Sequence, residues 1–174
     1  MLGQNTTRQT RRKIYLNIKD GAVVKRTETG EETYSYVAGR VEAISQRERT
    51  FRNEVVVYWY IDLRDDESGE LYSIGFPYGS NTFKSIILAL ASDEGLHATG
   101  KGLGIRIEPY KKNGYDKISV YVGDKRLDWV KKALPPITEA MVGGKRVKDD
   151  SARMEFISSL VNSINDSLPI LVNR

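Results

Sequence analysis

The side chains best suited to recognition in this 174-residue sequence are aromatic and cationic rather than nucleophilic. Tyr58 and Tyr60 alternate within VVVYWYIDL, so an extended strand puts both rings on one face. The stretch SQRERTFRN carries Arg47, Arg49, Phe51 and Arg52, and YKKNGY carries Tyr110, Lys111, Lys112 and Tyr115. Lys and Arg neutralise phosphates. Flat rings take up unstacked bases of any sequence, at about 1–3 kcal/mol per base. This combination is the chemistry of holding a single-stranded polynucleotide. By the same alternation Arg40, Arg106, Lys117 and Tyr121 add to that solvent-facing set.

Covalent and metal chemistry find little support. There is no cysteine, and His97 is the only histidine, so neither a zinc site nor a Ser–His–Asp triad can be assembled. Gly95 to Lys101 fits the first seven positions of a phosphate-binding loop. Gly102 then stands where a magnesium-binding Ser or Thr is required. Asp65, Asp66, Glu67 and Glu70 lack the alternation of a calcium loop and read as a solvated turn. No convergent pair of carboxylates suggests acid–base work. The expectation is a binding protein, not an enzyme, with no cofactor and no metal.

Charge is distributed unevenly. The net charge is +4, yet residues 1–26 hold seven Lys/Arg against one Asp, and residues 101–132 hold nine against four acids. Residues 54–70 reverse the sign, with six acids against Arg64. Such a field concentrates a polyanion on one side of a small domain. No apolar run approaches the roughly 18 residues of a membrane span, and MLGQNTTRQTRRK lacks the apolar centre of a secretory signal. A cytoplasmic setting without membrane partners is expected.

The elements that must position these residues are mainly strands. Ile14, Leu16 and Ile18 alternate before Asp20-Gly21, an N-terminal hairpin signal. Residues 27–33 read as a loop and 36–44 as a strand, with Val37, Val41 and Ala43 inward and Gly39 at a bend. A loop at 45–53 leads to a strand at 55–63 whose inward face is Val55, Val57, Trp59, Ile61 and Leu63. After an acidic turn comes a strand at 71–76. If Leu63 pairs with Glu70, Tyr58 lies opposite Gly75 and Tyr60 opposite Ser73, making an open shelf.

Phe83, Ile86, Ile87 and Leu90 then recur at helical spacing behind a Ser80 or Asn81 cap. A Gly-rich connection at 95–104 leads to strands at 103–110 and 117–122. Residues 141–148 read as a flexible link. A C-terminal helix at 151–168 has Met154, Ile157, Leu160, Val161, Ile164 and Leu168 as its apolar stripe.

Strand, strand, strand, helix, strand, strand is the order of the oligonucleotide/oligosaccharide-binding (OB) fold, whose ligands cross strands two and three between two clamping loops. The expected fold is mostly β. It comprises a five-stranded OB barrel with a helix between strands 3 and 4, an N-terminal β-hairpin and a C-terminal helix. Residues 1–12 form a flexible basic N-terminus, 13–134 the OB domain with its hairpin, and 135–174 a linker and C-terminal helix.

Over residues 36–122 the chain resembles the single-stranded DNA-binding proteins of the OB type, of the phage and plasmid kinds. The resemblance implies little sequence specificity, coating of exposed strands in replication and recombination, and contacts with proteins of those processes. The end of the chain, LPILVNR, departs from the acidic tip common in that family. An RNA-binding OB module and a protein-binding adaptor are the alternatives. A homo-oligomer joined through the C-terminal helix is a further expectation.

Overall fold

The computed structural model describes residues 13–130 and 134–169. The basic segment 1–12, Lys131 and Lys132 lie outside the described residues. Strands β1 (Lys13–Lys19) and β2 (Ala22–Thr27) form the expected hairpin, with Asp20 and Gly21 at φ 53° and 73°, as the tight turn requires. Strand β3 (Gly30–Tyr34) occupies the span read as a loop at 27–33. All five of its residues are exposed, so no apolar alternation betrays it.

Strand β4 (Val37–Phe51) is longer than the sequence reading allows. The expected loop at 45–53 shrinks to Arg52-Asn53, both with positive φ, between β4 and β5 (Glu54–Arg64). The outer half of this hairpin projects beyond the body. Val55 is consequently 66% exposed and Val57 half-buried, whereas Trp59, Ile61 and Leu63 are core. A bulge between Val41 and Ala43 reverses the expected alternation there: Ala43 pairs with Asp62, and Ile44 replaces it inside. Gly39 marks a close approach, since a Cβ there would meet the Arg64 carbonyl oxygen at 2.8 Å.

Strand β6 (Leu71–Pro77) leads to α1 (Asn81–Leu90), capped by Ser80, whose hydroxyl accepts from the Phe83 N–H. The Gly-rich stretch is not a loose connection but a second helix, α2 (Asp93–Gly100), capped by Ser92. Gly95 lets it start tightly against α1, because a Cβ would lie 2.5 Å from the carbonyl oxygens of Ala89 and Leu90. Strands β7 (Gly104–Lys112), β8 (Tyr115–Val122) and the short β9 (Lys125–Arg126) follow. The expected link at 141–148 is a hairpin of β10 (Thr138–Val142) and β11 (Lys145–Asp149) around Gly143-Gly144. Helix α3 (Ser151–Ser167) closes the described chain.

Among the described residues nine strands form one sheet in the order β3-β2-β1-β6-β5-β4-β7-β8-β9. All its described neighbours are antiparallel except β1 and β6. The sheet curls until β2 packs against β7, but no described ladder joins them. The five-stranded closed barrel is therefore not the observed sheet. Among the described residues the architecture is mostly β with three helices, the last of them C-terminal to the strands.

The concave face carries Ile44, Ile61, Leu63, Ile74, Phe76, Ile105, Ile107 and Val120, and α1 and α3 pack within the same core. Phe83, Ile86, Ile87 and Leu90 are wholly buried, each such burial stabilising by about 1.5–3 kcal/mol. In α3, Met154, Ile157, Val161 and Ile164 are buried, with Leu160 and Leu168 packed beside them. That stripe is taken up within the chain, the same surface the homo-oligomer expectation would use. Strand β7 pairs with β4 only from Val37 to Arg40, which leaves the outward backbone groups of Ile44 without a strand partner. The Asn165 amide fills the gap: its Oδ1 accepts from the Ile44 N–H at 3.0 Å, and its Nδ2 donates to the Ile44 carbonyl at 2.9 Å.

Candidate nucleic-acid interface

Directly paired residues share a face, so the β4–β5 ladder fixes what lies on the side of the sheet away from the helices. There Arg49 pairs with Val56, Arg47 with Tyr58, Ser45 with Tyr60 and Ala43 with Asp62. On the other flank Tyr58 meets Pro77, Tyr60 meets Gly75 and Asp62 meets Ser73. The expected register is thus off by two residues. A shift of two preserves the face, so the tyrosines still point outward, and Gly75 lies beside Tyr60 rather than Tyr58.

Tyr60 is not an open shelf. It is only 7% exposed, because three neighbours close over it. The Arg47 guanidinium lies 5.5 Å from its ring centroid, Tyr15 meets it edge-on at 6.4 Å, and Tyr58 tilts against it at 6.4 Å. Gly75 makes the fit possible, since a Cβ there would sit 3.1 Å from the Tyr60 ring. The accessible rings are half-buried Tyr58 and Tyr15, which is 55% exposed.

Tyr15 is missed by the sequence reading. It reaches the platform because β1 pairs in parallel with β6, placing Tyr15 beside Ser73. Its signal was its position on the outward face of β1, alternating with Ile14 and Leu16. What could not be seen was which strand β1 joins.

The cations divide into free and occupied. Arg49 stands 5.1 Å over Tyr58, and Arg52 stands 5.3 Å over Phe51 at the hairpin tip, where Phe51 is 64% exposed. Among the described residues no carboxylate lies within ion-pair distance of Arg47, Arg49, Arg52, Lys112 or Lys117. Arg40, by contrast, is spent on Asp66 at 3.1 Å and on Glu42 at 3.7 Å. That pairing holds the Asp66 carboxyl below its ordinary range. Arg106 pairs with Glu108 at 2.9 Å and covers Tyr121 at 4.6 Å. On the platform itself, Lys13 donates to Asp62 at 3.1 Å and offsets that carboxylate.

The second expected clamp is the β7–β8 hairpin. Tyr110, Lys112, Tyr115 and Lys117 are exposed, and Lys111 pairs with Asp20 in the β1–β2 turn at 3.2 Å. This clamp therefore stands toward the β1 side of the platform, with Arg47 and Arg49 on its β4 side. Arg40, Arg106 and Tyr121 do not join the platform cluster.

A cavity of 1020 Å³ opens elsewhere, floored by Leu16, Val23 and Ile105 and walled by Tyr34, Tyr36 and Tyr72. The three arginines that line it are each ion-paired, in Arg40–Asp66, Arg64–Glu42 and Arg106–Glu108, and Asp65, Glu67 and Glu70 line it as well. Among the described residues no group of three His, Asp or Glu side chains is placed to hold a metal ion, and no helix is long and apolar enough to cross a membrane. No protein-family model, curated protein or solved structure matches this chain.

Proposed function

We propose that this protein binds single-stranded nucleic acid, with little sequence preference, across the outward face of β1, β6, β5 and β4. The observation that carries this reading is the pairing of unneutralised guanidiniums with rings: Arg47 over Tyr60 and Arg49 over Tyr58, beside exposed Tyr15. Stacking surface and phosphate-seeking charge are interleaved at the spacing of a strand, which suits an extended polynucleotide. The finer fold reading, an OB-type unit over β4–β8, is supported by the element order of three strands, helices and two strands, with β4 paired to both β5 and β7. A role in coating exposed DNA during replication or recombination, in the cytoplasm and alongside proteins of those processes, belongs to the same proposal. On this reading the protein is a binder without catalysis or cofactor.

The test is titration of a fluorescent oligo-dT of about thirty nucleotides, longer than the ~4–16 nucleotides one such domain covers, at low and moderate salt. Salt-sensitive binding to this strand supports the reading. Absence of binding at low salt removes it. Oligo-U of equal length separates DNA from RNA preference, because stacking and backbone charge alone do not sense the 2′-hydroxyl.

A further inference from the structure

The β10–β11 hairpin is an arm. All residues of both strands and the connecting Gly143-Gly144 are exposed, including Met141 at 67% and Val142 at 62%. A two-stranded hairpin is marginally stable alone in water, and exposed apolar side chains at such a tip point to contact with something outside the chain. Its root is nevertheless fixed. Arg153 donates to the Pro135 carbonyl at 2.8 Å, Asp149 accepts from the Ser151 N–H at 2.9 Å, and Met154 is buried one turn into α3.

Charge is graded along the arm. Glu139 and Asp149 lie toward the root, whereas Lys145 and Arg146 follow the turn and Lys148 lies farther down the same strand, opposite Glu139. Arg146 meets Glu139 at 3.7 Å, but both side chains are exposed, so water screens this pair and a phosphate can displace it, unlike the pairs of half-buried Arg40. The pair Met141 and Arg146 shares one face, and Val142 and Lys145 share the other, so each face near the tip offers one apolar and one cationic side chain. Five residues of strand extend about 16 Å. A two-stranded ribbon is one of the two elements that the major groove of a duplex admits, and apolar side chains can wedge against base steps. A second copy of this chain, itself carrying net charge +4, is a poorer match for a basic tip.

We propose that β10–β11 grips double-stranded nucleic acid adjoining the single strand, with Lys145, Arg146 and Lys148 on phosphates and Met141 and Val142 against base edges. The arm is rooted at one end of the platform strands, on the helix-bearing side of the sheet. Tyr78 follows Pro77, the ladder partner of Tyr58, stacks on core Trp59, and lines one groove with Asp150 and Ser151 at the root of the arm. Nucleic acid leaving the platform past Tyr58 reaches the arm by rounding the Pro77 end of β6. The junction part of this proposal rests on the single-strand reading; the duplex contact does not.

Three probes test it: a blunt DNA duplex of about one and a half turns, roughly 15 base pairs, the same duplex with a single-stranded extension, and the extension alone. The variant Lys145→Ala/Arg146→Ala/Lys148→Ala touches only exposed residues and should keep the wild-type melting curve. It should bind the blunt duplex at least roughly tenfold more weakly, with a log K–log salt slope shallower by about two to three. Binding to the extension alone should be unchanged. Met141→Ala/Val142→Ala should weaken duplex binding without changing the salt slope.

Wild-type affinity for the duplex that the triple variant retains in full would overturn the proposal. So would a wild-type protein that does not bind the duplex, or a triple variant whose defect is lost self-association. If instead the extension alone fails to bind while the duplex binds through the arm, the single-strand reading falls and the arm stands.

Discussion

The guanidinium of Arg47 covers the ring of Tyr60, although the residue paired with Arg47 in the ladder is Tyr58. The side chain leans along the strand by one step, and Arg49 does the same toward Tyr58. Each arginine thus lies over the ring diagonal to it rather than opposite, within the reach of long side chains across a sheet. In the free protein the cations shield the ring faces. On the proposed reading, a bound strand offers the arginines phosphates and exposes the rings to bases.

The division between accessible and covered rings gives the first prediction. Tyr15→Ala and Tyr58→Ala should each reduce affinity for oligo-dT by about 1–3 kcal/mol, roughly 5- to 150-fold, while lowering stability far less than loss of the Tyr60 ring they cover. Tyr60→Ala should instead destabilise the fold, by about 3–5 kcal/mol as for other large buried aromatics. Fluorescence titration beside urea denaturation separates these effects. A Tyr15→Ala protein that binds normally would remove Tyr15 from the interface.

Salt dependence distinguishes free from paired arginines. Arg47→Gln and Arg49→Gln should each lower the slope of log K against log salt by about 0.7, the single-strand value per phosphate contact. Arg40→Gln should leave the slope unchanged, because that guanidinium already serves Asp66 and Glu42. Equal slopes for all three variants would contradict the division.

The contrast between Tyr58 and Tyr15 also shows what could be read from the sequence. Face assignment within β5 follows from period-two alternation, which a register error of two residues leaves intact, so Tyr58 and Tyr60 were placed on the correct side. Local signals likewise located the Asp20-Gly21 turn, α1 and α3. The parallel pairing of β1 with β6 is a long-range choice without a local signature, and it decides that Tyr15 joins the platform. Helix α2, whose glycines read as a loose connection, is a second difference, and exposed strands are a third. β3, β10, β11 and the outer half of β4 bury little or nothing, so their polar residues looked like loops. The ion pair of Arg40 with Asp66 likewise depends on how β4 meets the turn after β5, which composition does not encode. Arg106–Glu108 instead joins residues two apart on one strand and was open to the same alternation argument.

Asn165 offers a test of how α3 is held. Asn165→Ala removes the donor and acceptor that serve the Ile44 N–H and carbonyl. The expected loss is about 1–3 kcal/mol, the cost of leaving such groups unsatisfied. Asn165→Asp keeps the acceptor for the Ile44 N–H but brings a carboxylate to the Ile44 carbonyl, so it should not restore stability. Chemical denaturation at neutral pH reads both. If both variants match the wild type, the amide bridge does not hold α3 to β4.

Alkaline stability should depend on Tyr72. Burial, and then its hydrogen bond to Glu70 at 2.7 Å, pushes the Tyr72 hydroxyl from its ordinary 10 up to about 12. Between those two values the folded protein keeps a proton that the unfolded chain releases. Ionisation therefore favours unfolding, and stability that is fully present below pH 10 falls as pH rises toward 12. Tyr72→Phe removes this contribution while leaving every other alkaline titration, including that of half-buried lysines, in place. Urea midpoints measured across the interval should decline more steeply in the wild type than in Tyr72→Phe. Parallel declines would mean that the Tyr72 proton is held no more tightly in the fold than in the unfolded chain, and that the Glu70 hydrogen bond does not persist in solution.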